Sequence, residues 1–155
     1  MEVYLVQHGE AMPKSADRAR PLSDQGRREV GQVAFFAAQM GLTVDQIRHS
    51  GKTRAEQTAA ILGESLSPPG GVVTVPGLAP LDDVKPMADA LGSESQPVML
   101  VGHLPFMARL TGLLLTGDAD NQVVRFRMGG IVCLARDENG WQVVWNLTPE
   151  MARVP

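Results

Sequence analysis

The chain has 155 residues, 44% of them hydrophobic, and a formal net charge of −3 at neutral pH. It is therefore long enough to bury a core and has an ordinary composition for a globular protein. The sequence has no basic stripe that would favour nucleic-acid binding, no apolar stretch that could span a bilayer, and no pattern typical of a signal peptide. We expect one domain over residues 1–155, located in the cytoplasm, with no nucleic-acid or membrane partner.

In the first half of the chain, short apolar runs alternate with segments of helical apolar spacing. We predict strands over residues 2–6, 45–50 and 72–75, and helices over residues 23–40 and 53–66. Gly41 follows the first helix as a stop signal. Thr53 and Glu56 have the spacing of a capping box, which places Arg54 in the first turn of the second helix.

The second half of the chain begins with more helical spacing and ends in a β-rich region. We predict strands over residues 97–101, 123–128, 131–136 and 142–147, and helices that end near Leu91 and Thr116. The Asn139-Gly140 pair predicts a hairpin turn between the last two strands. Trp141, Val143 and Trp145 are expected on one face of the last strand, because side chains alternate along a strand.

The order of these elements predicts the fold class. Strands and helices alternate four times before the terminal strands, which is typical of an α/β three-layer sandwich. The alternating part favours a mainly parallel sheet, and the terminal strands favour an antiparallel edge.

Two histidines carry the main functional signal, because each follows an apolar run. His8 comes directly after the first predicted strand, and His103 comes just after residues 97–101. If these runs are neighbouring parallel strands, both imidazoles lie at the edge where open α/β sheets bind ligands. The turn that leads to Arg54 reaches the same edge. Two imidazoles and an arginine placed together indicate chemistry on a phosphoryl group.

His8 is the candidate nucleophile of this chemistry. Neutral imidazole can attack phosphorus and form a covalent intermediate. This role needs one free ring nitrogen, while the other donates to a backbone carbonyl and so selects the tautomer. Gly9 would let the backbone approach a ligand closely. The alternative is a structural histidine held by hydrogen bonds.

Three further cationic or polar side chains are candidates for holding phosphate oxygens. His103 precedes a helix, whose N-terminus favours an anion. Arg54 could bind a phosphate with two parallel hydrogen bonds. Arg20 lies in the loop before the first helix and could reach the same edge. The alternatives are a polar cap for the strand end at His103 and solvated side chains for both arginines.

Four segments together resemble the histidine phosphatase superfamily, whose fold is phosphoglycerate-mutase-like. They are Gln7-His8-Gly9-Glu10, Arg20-Pro21-Leu22-Ser23, Ser50-Gly51-Lys52-Thr53-Arg54-Ala55-Glu56-Gln57-Thr58 and Gly102-His103-Leu104-Pro105. Their order and the short chain are most similar to the SixA-type phosphohistidine phosphatase branch. The resemblance spans residues 2–147.

The resemblance implies a role for each matched residue. It makes His8 the phosphate-accepting histidine, and it places Arg54 and His103 in the phosphate pocket. Arg20 matches the arginine that the SixA branch has before its first helix. Ser50 matches the serine at the end of the second strand.

One position departs from the family pattern, because Gln7 stands where the family has arginine. Gln7 can bind phosphate only as a neutral donor. Loss of one charge-assisted bond at a developing phosphoryl charge costs about 2–4 kcal/mol by analogy with an oxyanion donor, which is roughly 30- to 1000-fold in rate. Lys52 and Lys14 are candidates to replace the lost charge, and solvated surface lysines are the alternative.

A general acid is harder to assign from the sequence. Larger relatives use a loop carboxylate to protonate an ester leaving group, and the candidates here are Glu10, Asp82 and Asp83. All three could instead be solvated or capping residues. Cleavage of a phosphoramidate P–N bond would depend less on a general acid, because the bond is labile once its nitrogen is protonated.

The leading hypothesis is a phosphohistidine phosphatase that acts on a phosphorylated protein through a covalent intermediate on His8. One alternative is a phosphate- or phosphohistidine-binding module with weak or no turnover, because of Gln7. Another is a phosphomonoesterase that acts on a small phosphoester. We expect no cofactor and no metal, because the histidines lack metal-ligand spacing and the arginines repel a cation.

Overall fold

The structure is a computed structural model that describes residues 1–153. Within these residues the chain forms six strands and four helices, which alternate until the last two strands. In chain order they are β1 (Glu2–Gln7), α1 (Asp24–Gln39), β2 (Gln46–His49), α2 (Thr53–Leu66), β3 (Val72–Thr74), α3 (Lys85–Gly92), β4 (Val98–Gly102), α4 (Phe106–Thr116), β5 (Ile131–Asp137) and β6 (Gly140–Leu147). None of the helices in this range is long and apolar enough to cross a membrane.

The strands form one mixed sheet in the order β3-β2-β4-β1-β5-β6. β3, β2, β4 and β1 are parallel to one another, whereas β5 and β6 are antiparallel. The predicted α/β class with a mainly parallel sheet and an antiparallel edge is therefore confirmed. β1 and β4 are direct neighbours, and Gln7 pairs with Gly102 at their carboxyl ends. This register brings the residues after both strands to one edge.

The sheet has a separate apolar core on each face, which makes the protein a three-layer sandwich. Tyr4 and Val6 of β1 face the core that α1 and α2 cover. Val3 and Leu5 face the core that α3 and α4 cover. Every residue of β4 is buried, as expected for a strand in the middle of a sheet with helices on both faces.

The two helices nearest the predicted site begin differently. The Ser23 hydroxyl caps α1 by accepting a hydrogen bond from Gly26 N at 3.0 Å. In α2, Lys52 is the N-cap residue and its side chain makes no capping bond. The predicted capping box is therefore wrong, because Thr53 is already the first helical residue. The preceding turn accounts for this start, since Gly51 has φ +90° and Lys52 is extended.

The predicted strand over residues 123–128 is also wrong. In this segment only Met128 makes a bridge, to Gln7. The physical reason is that β1 already pairs with β4 on one side and β5 on the other. A further strand has no free edge of β1 along which to form a ladder.

The predicted common face of the two tryptophans is wrong as well. Consecutive residues of β5 pair with Trp145 and Val143, so Val144 is the extra residue of a β-bulge. A bulge reverses the alternation of side chains beyond it. Trp145 therefore packs toward Tyr4, with ring centroids 5.9 Å apart, whereas Trp141 packs on the α3–α4 core.

Candidate active site

His8 lies at the carboxyl end of β1 with its ring held in one orientation. The residue is only 9% exposed, and its Nδ1 lies 2.7 Å from the carbonyl oxygen of Gly9. A carbonyl can only accept, so Nδ1 carries the proton in this bond. In the neutral ring, Nε2 then keeps its lone pair, which is the arrangement that a nucleophile requires.

Thr58 braces the backbone that orients His8. Its side chain is fully buried, and its hydroxyl oxygen accepts a hydrogen bond from Gly9 N at 3.0 Å. The same hydroxyl donates to the carbonyl of Arg54 at 2.8 Å. The β1 end and the first turn of α2 are thereby joined. A side chain at Gly9 has no room, because its Cβ would lie 2.7 Å from Val30 Cγ2.

His103 lies beside His8, at the carboxyl end of the neighbouring strand β4. The two ring centroids are 5.1 Å apart and the planes are inclined by 51°. His103 is 1% exposed, and its Nε2 lies 2.7 Å from the Ser50 hydroxyl, which follows β2. The ends of three adjacent parallel strands therefore meet at this point, as the sequence predicts.

Two arginines complete a cationic environment around the imidazoles. Arg54 stands in the first turn of α2, and its Nε is buried without a hydrogen-bond partner among residues 1–153. Arg20 has the left-handed backbone conformation, with φ +50°, and its Nε donates to Met12 O at 3.2 Å. A buried unpaired donor is rare in a native fold. An anion bound at this edge would satisfy it.

The electrostatics of the site keep both imidazoles neutral in the free protein. Burial lowers the pKa of His8 below its ordinary value, and the charges of Arg54 and Arg20 lower it further against the raising effect of the Gly9 hydrogen bond. Burial lowers the pKa of His103 to about 3, assisted by Arg54, His8, Lys52 and Arg20. A bound anion would oppose these positive charges and raise both pKa values.

Gln7 occupies the last position of β1, where its backbone is part of the sheet. Its carbonyl accepts a hydrogen bond from Gly129 N at 2.9 Å. Within residues 1–153 its side chain makes no hydrogen bond. Alternation along β1 places that side chain on the side of α3 and α4, with Val3 and Leu5.

The three candidate acids have local bonding partners. Glu10 Oε1 accepts a hydrogen bond from the Ser23 hydroxyl at 2.9 Å. Asp82 accepts from Ala79 N at 2.9 Å, and Asp83 accepts from Lys85 N at 3.0 Å. None of these carboxylates is hydrogen-bonded to His8 or His103 in the described part of the chain. A role as general acid stays a prediction for all three.

Sequence reasoning missed two residues that support the site. Thr58 is one, and Gln57 is the other, because its Oε1 accepts from Leu22 N at 2.7 Å and ties the loop before α1 to α2. Both belong to the segment 50–58, whose helical spacing places Thr58 one turn after Arg54. The roles predicted for His8, Arg54, His103, Arg20 and Gln7 stay predictions, although the first four of these side chains lie close enough for their charges to act on one another.

Comparisons with known proteins agree with this fold. Phosphohistidine phosphatase SixA of Escherichia coli K12 is 28% identical over 155 aligned residues, which cover 96% of this chain and 94% of that protein. The structure of the protein histidine phosphatase SixA complexed with tungstate superposes with a TM-score of 0.87 at 25% identity, over 99% of this chain and all of that one. Phosphoserine phosphatase from Entamoeba histolytica in complex with 3-phosphoglyceric acid has a TM-score of 0.74 at 15% identity, over 98% of this chain and 99% of that one, and shares the fold. No family model matches the chain.

The fold and the similarity to SixA over nearly the full length of both chains support the histidine phosphatase superfamily. Within that superfamily the similarity is to the SixA-type branch.

Proposed function

We propose that the protein is a phosphohistidine phosphatase that uses His8 as the nucleophile. The observation that carries this proposal is the His8 ring, whose Nδ1 is held by Gly9 O and whose centroid lies 5.1 Å from that of His103. The unpaired Arg54 Nε nearby supports a bound phosphoryl group. The SixA similarity supports phosphohistidine as the substrate class.

The reaction has two displacement steps. His8 Nε2 attacks phosphorus while the P–N bond to the substrate histidine breaks; the leaving nitrogen keeps the electron pair and takes a proton from solvent water. Water then attacks the phosphorylated His8, which releases inorganic phosphate and restores the imidazole. Arg54, Arg20 and His103 bind the phosphoryl oxygens and stabilise their charge as it develops. These steps use only side chains, and no group of three metal-ligating side chains occurs among residues 1–153.

A protein is the favoured bearer of the phosphohistidine. Exposed apolar side chains flank the site, since Leu104 follows His103 directly and Met128 bridges to Gln7. The similar solved structure is that of a protein histidine phosphatase, which also supports a protein substrate. The carboxylates of Glu10, Asp82 and Asp83 are hydrogen-bonded to nearby groups. This favours cleavage of the labile P–N bond over cleavage of an ester, which needs a strong general acid.

The cytoplasmic location stays a prediction.

The experiment that tests the proposal is trapping of the intermediate. The protein is incubated with a ³²P-labelled histidine-phosphorylated peptide and quenched in base, which preserves phosphohistidine, and the label is mapped. We expect it on His8 and not on His49, whose ring is held by Gly51 and Thr74. His8→Ala should abolish both label and turnover, with circular dichroism as the check on folding. Undiminished turnover in His8→Ala would eliminate the mechanism.

A binding module with little turnover is the second candidate, and the neutral Gln7 favours it. The same peptide separates the two functions. Single-turnover release of phosphate far above the rate without protein supports the phosphatase, whereas tight binding of the phosphopeptide without release supports the module.

A further inference from the structure

Position 7 leaves the site one positive charge short of the family pattern, and a second residue in the structure can supply it. We infer that Lys52 binds a phosphoryl oxygen and provides the charge that Gln7 lacks. This inference rests on the proposed function, because it concerns the same phosphoryl site.

The hydrogen bonds of Ser50 place Lys52 at the site. The Ser50 hydroxyl is joined to His103 Nε2 at 2.7 Å and accepts a hydrogen bond from Lys52 N at 3.3 Å. The backbone of Lys52 is therefore one hydroxyl group away from the His103 ring. Lys52 is also the N-cap of α2, two residues before Arg54.

The Lys52 side chain is available for a ligand. It is exposed and does not cap α2. Within residues 1–153 its ammonium forms no ion pair, including with Glu56 one turn further along. A lysine carries its charge on a flexible stem and binds phosphate as a point charge.

Lys52 and Gln7 lie on different sides of the site. The charge of Lys52 lowers the pKa of His103, whereas the pKa of His8 responds to Arg54 and Arg20. Lys52 begins α2 and its backbone is joined to His103 through the Ser50 hydroxyl, so it approaches the phosphoryl group from the α2 side, whereas the Gln7 side chain lies toward α3 and α4. Lys52 replaces the charge of the family arginine and not its position. Lys14 affects neither imidazole in this way.

The test is a double-mutant cycle with Lys52→Met and Gln7→Arg, measured with a polyhistidine peptide phosphorylated by phosphoramidate. Lys52→Met should lower kcat/KM roughly 30- to 1000-fold, the scale of one lost charge-assisted phosphoryl contact. In the Lys52→Met background, Gln7→Arg should recover most of the lost kcat/KM. In the parent it should increase kcat/KM much less, because a cation at either position stabilises the same phosphoryl charge. The matched control is Lys85→Met, an exposed lysine paired with Asp89 on α3, which should leave kcat/KM unchanged.

Three results would overturn the inference. They are an unchanged kcat/KM in Lys52→Met, the expected loss in Lys14→Met instead, and an equal gain from Gln7→Arg in both backgrounds. If the parent itself has no His8-dependent turnover, the proposed function fails. In that case the role of Lys52 is tested independently of turnover, by binding of inorganic phosphate monitored through the imidazole NMR signals. We expect Lys52→Met to weaken that binding about tenfold or more, and equal affinities would refute the inference.

Discussion

Replacing Thr58 by valine tests whether the brace under Gly9 orients the nucleophile. Valine has nearly the shape of threonine but lacks the hydroxyl that accepts from Gly9 N at 3.0 Å and donates to Arg54 O at 2.8 Å. Thr58 is fully buried, so no water can take over as acceptor without opening the packing. The substitution therefore leaves a buried Gly9 N–H unpaired.

The expected effect follows from this unpaired donor. A buried group that loses its partner costs about 1–3 kcal/mol of the free energy of unfolding. At 2–4 °C per kcal/mol for a chain of this size, the melting temperature should fall by about 2–12 °C. Since Gly9 O also holds His8 Nδ1, movement of the glycine should misplace the ring. We expect kcat/KM to fall by about ten- to a hundredfold.

The assay combines urea unfolding with turnover of a phosphohistidine peptide. Thr58→Ser is the matched control, because it keeps the hydroxyl and removes only a methyl group. It should retain most of the activity. The reasoning is refuted if Thr58→Val unfolds at the parent urea concentration with parent kcat/KM, or if the serine variant is as inactive as the valine variant.

Four more predictions follow from the site. The pKa values of His8 and His103 are lowered in the folded protein, so near pH 6.5 the unfolded chain binds protons that the folded chain does not. The free energy of unfolding should therefore fall as the pH drops from 7 to 5. Urea titrations that show no such fall would contradict this prediction. The acid limb of the pH profile of kcat/KM should likewise lie below pH 6.5. A limb at or above that pH would show that burial does not lower the pKa of His8. Gly9→Ala should destabilise the fold by about 1–3 kcal/mol, because its Cβ would lie 2.7 Å from Val30 Cγ2, and unchanged thermal unfolding would contradict that contact. EDTA should leave turnover unchanged, and loss of activity that a divalent ion restores would overturn the metal-independent mechanism.

Much of the architecture can be read from local pattern. The alternation of apolar runs and helical spacing predicted every strand of the parallel part of the sheet and all four helices to within a few residues. This works because strands and helices have different periods of burial. The wrong predictions concern segments whose structure depends on pairing with a neighbouring strand. Residues 123–128 have β propensity, but both edges of β1 beside them are already paired. Trp145 changes face because of a bulge that only the pairing with β5 reveals.

The features of the candidate site also divide into those that the sequence predicts and those that only the tertiary structure shows. The residue types at His8, Arg54 and His103, each just beyond a strand or at a helix start, predicted chemistry on a phosphoryl group, because the carboxyl ends of parallel strands share an edge. The tertiary structure alone decided that the two imidazole ring centroids lie 5.1 Å apart, that the Thr58 hydroxyl holds Gly9 N, and that the Ser50 hydroxyl joins the Lys52 backbone to His103. These are contacts between residues distant in sequence, and their geometry depends on the register of the sheet and the packing of α2, which no local pattern encodes.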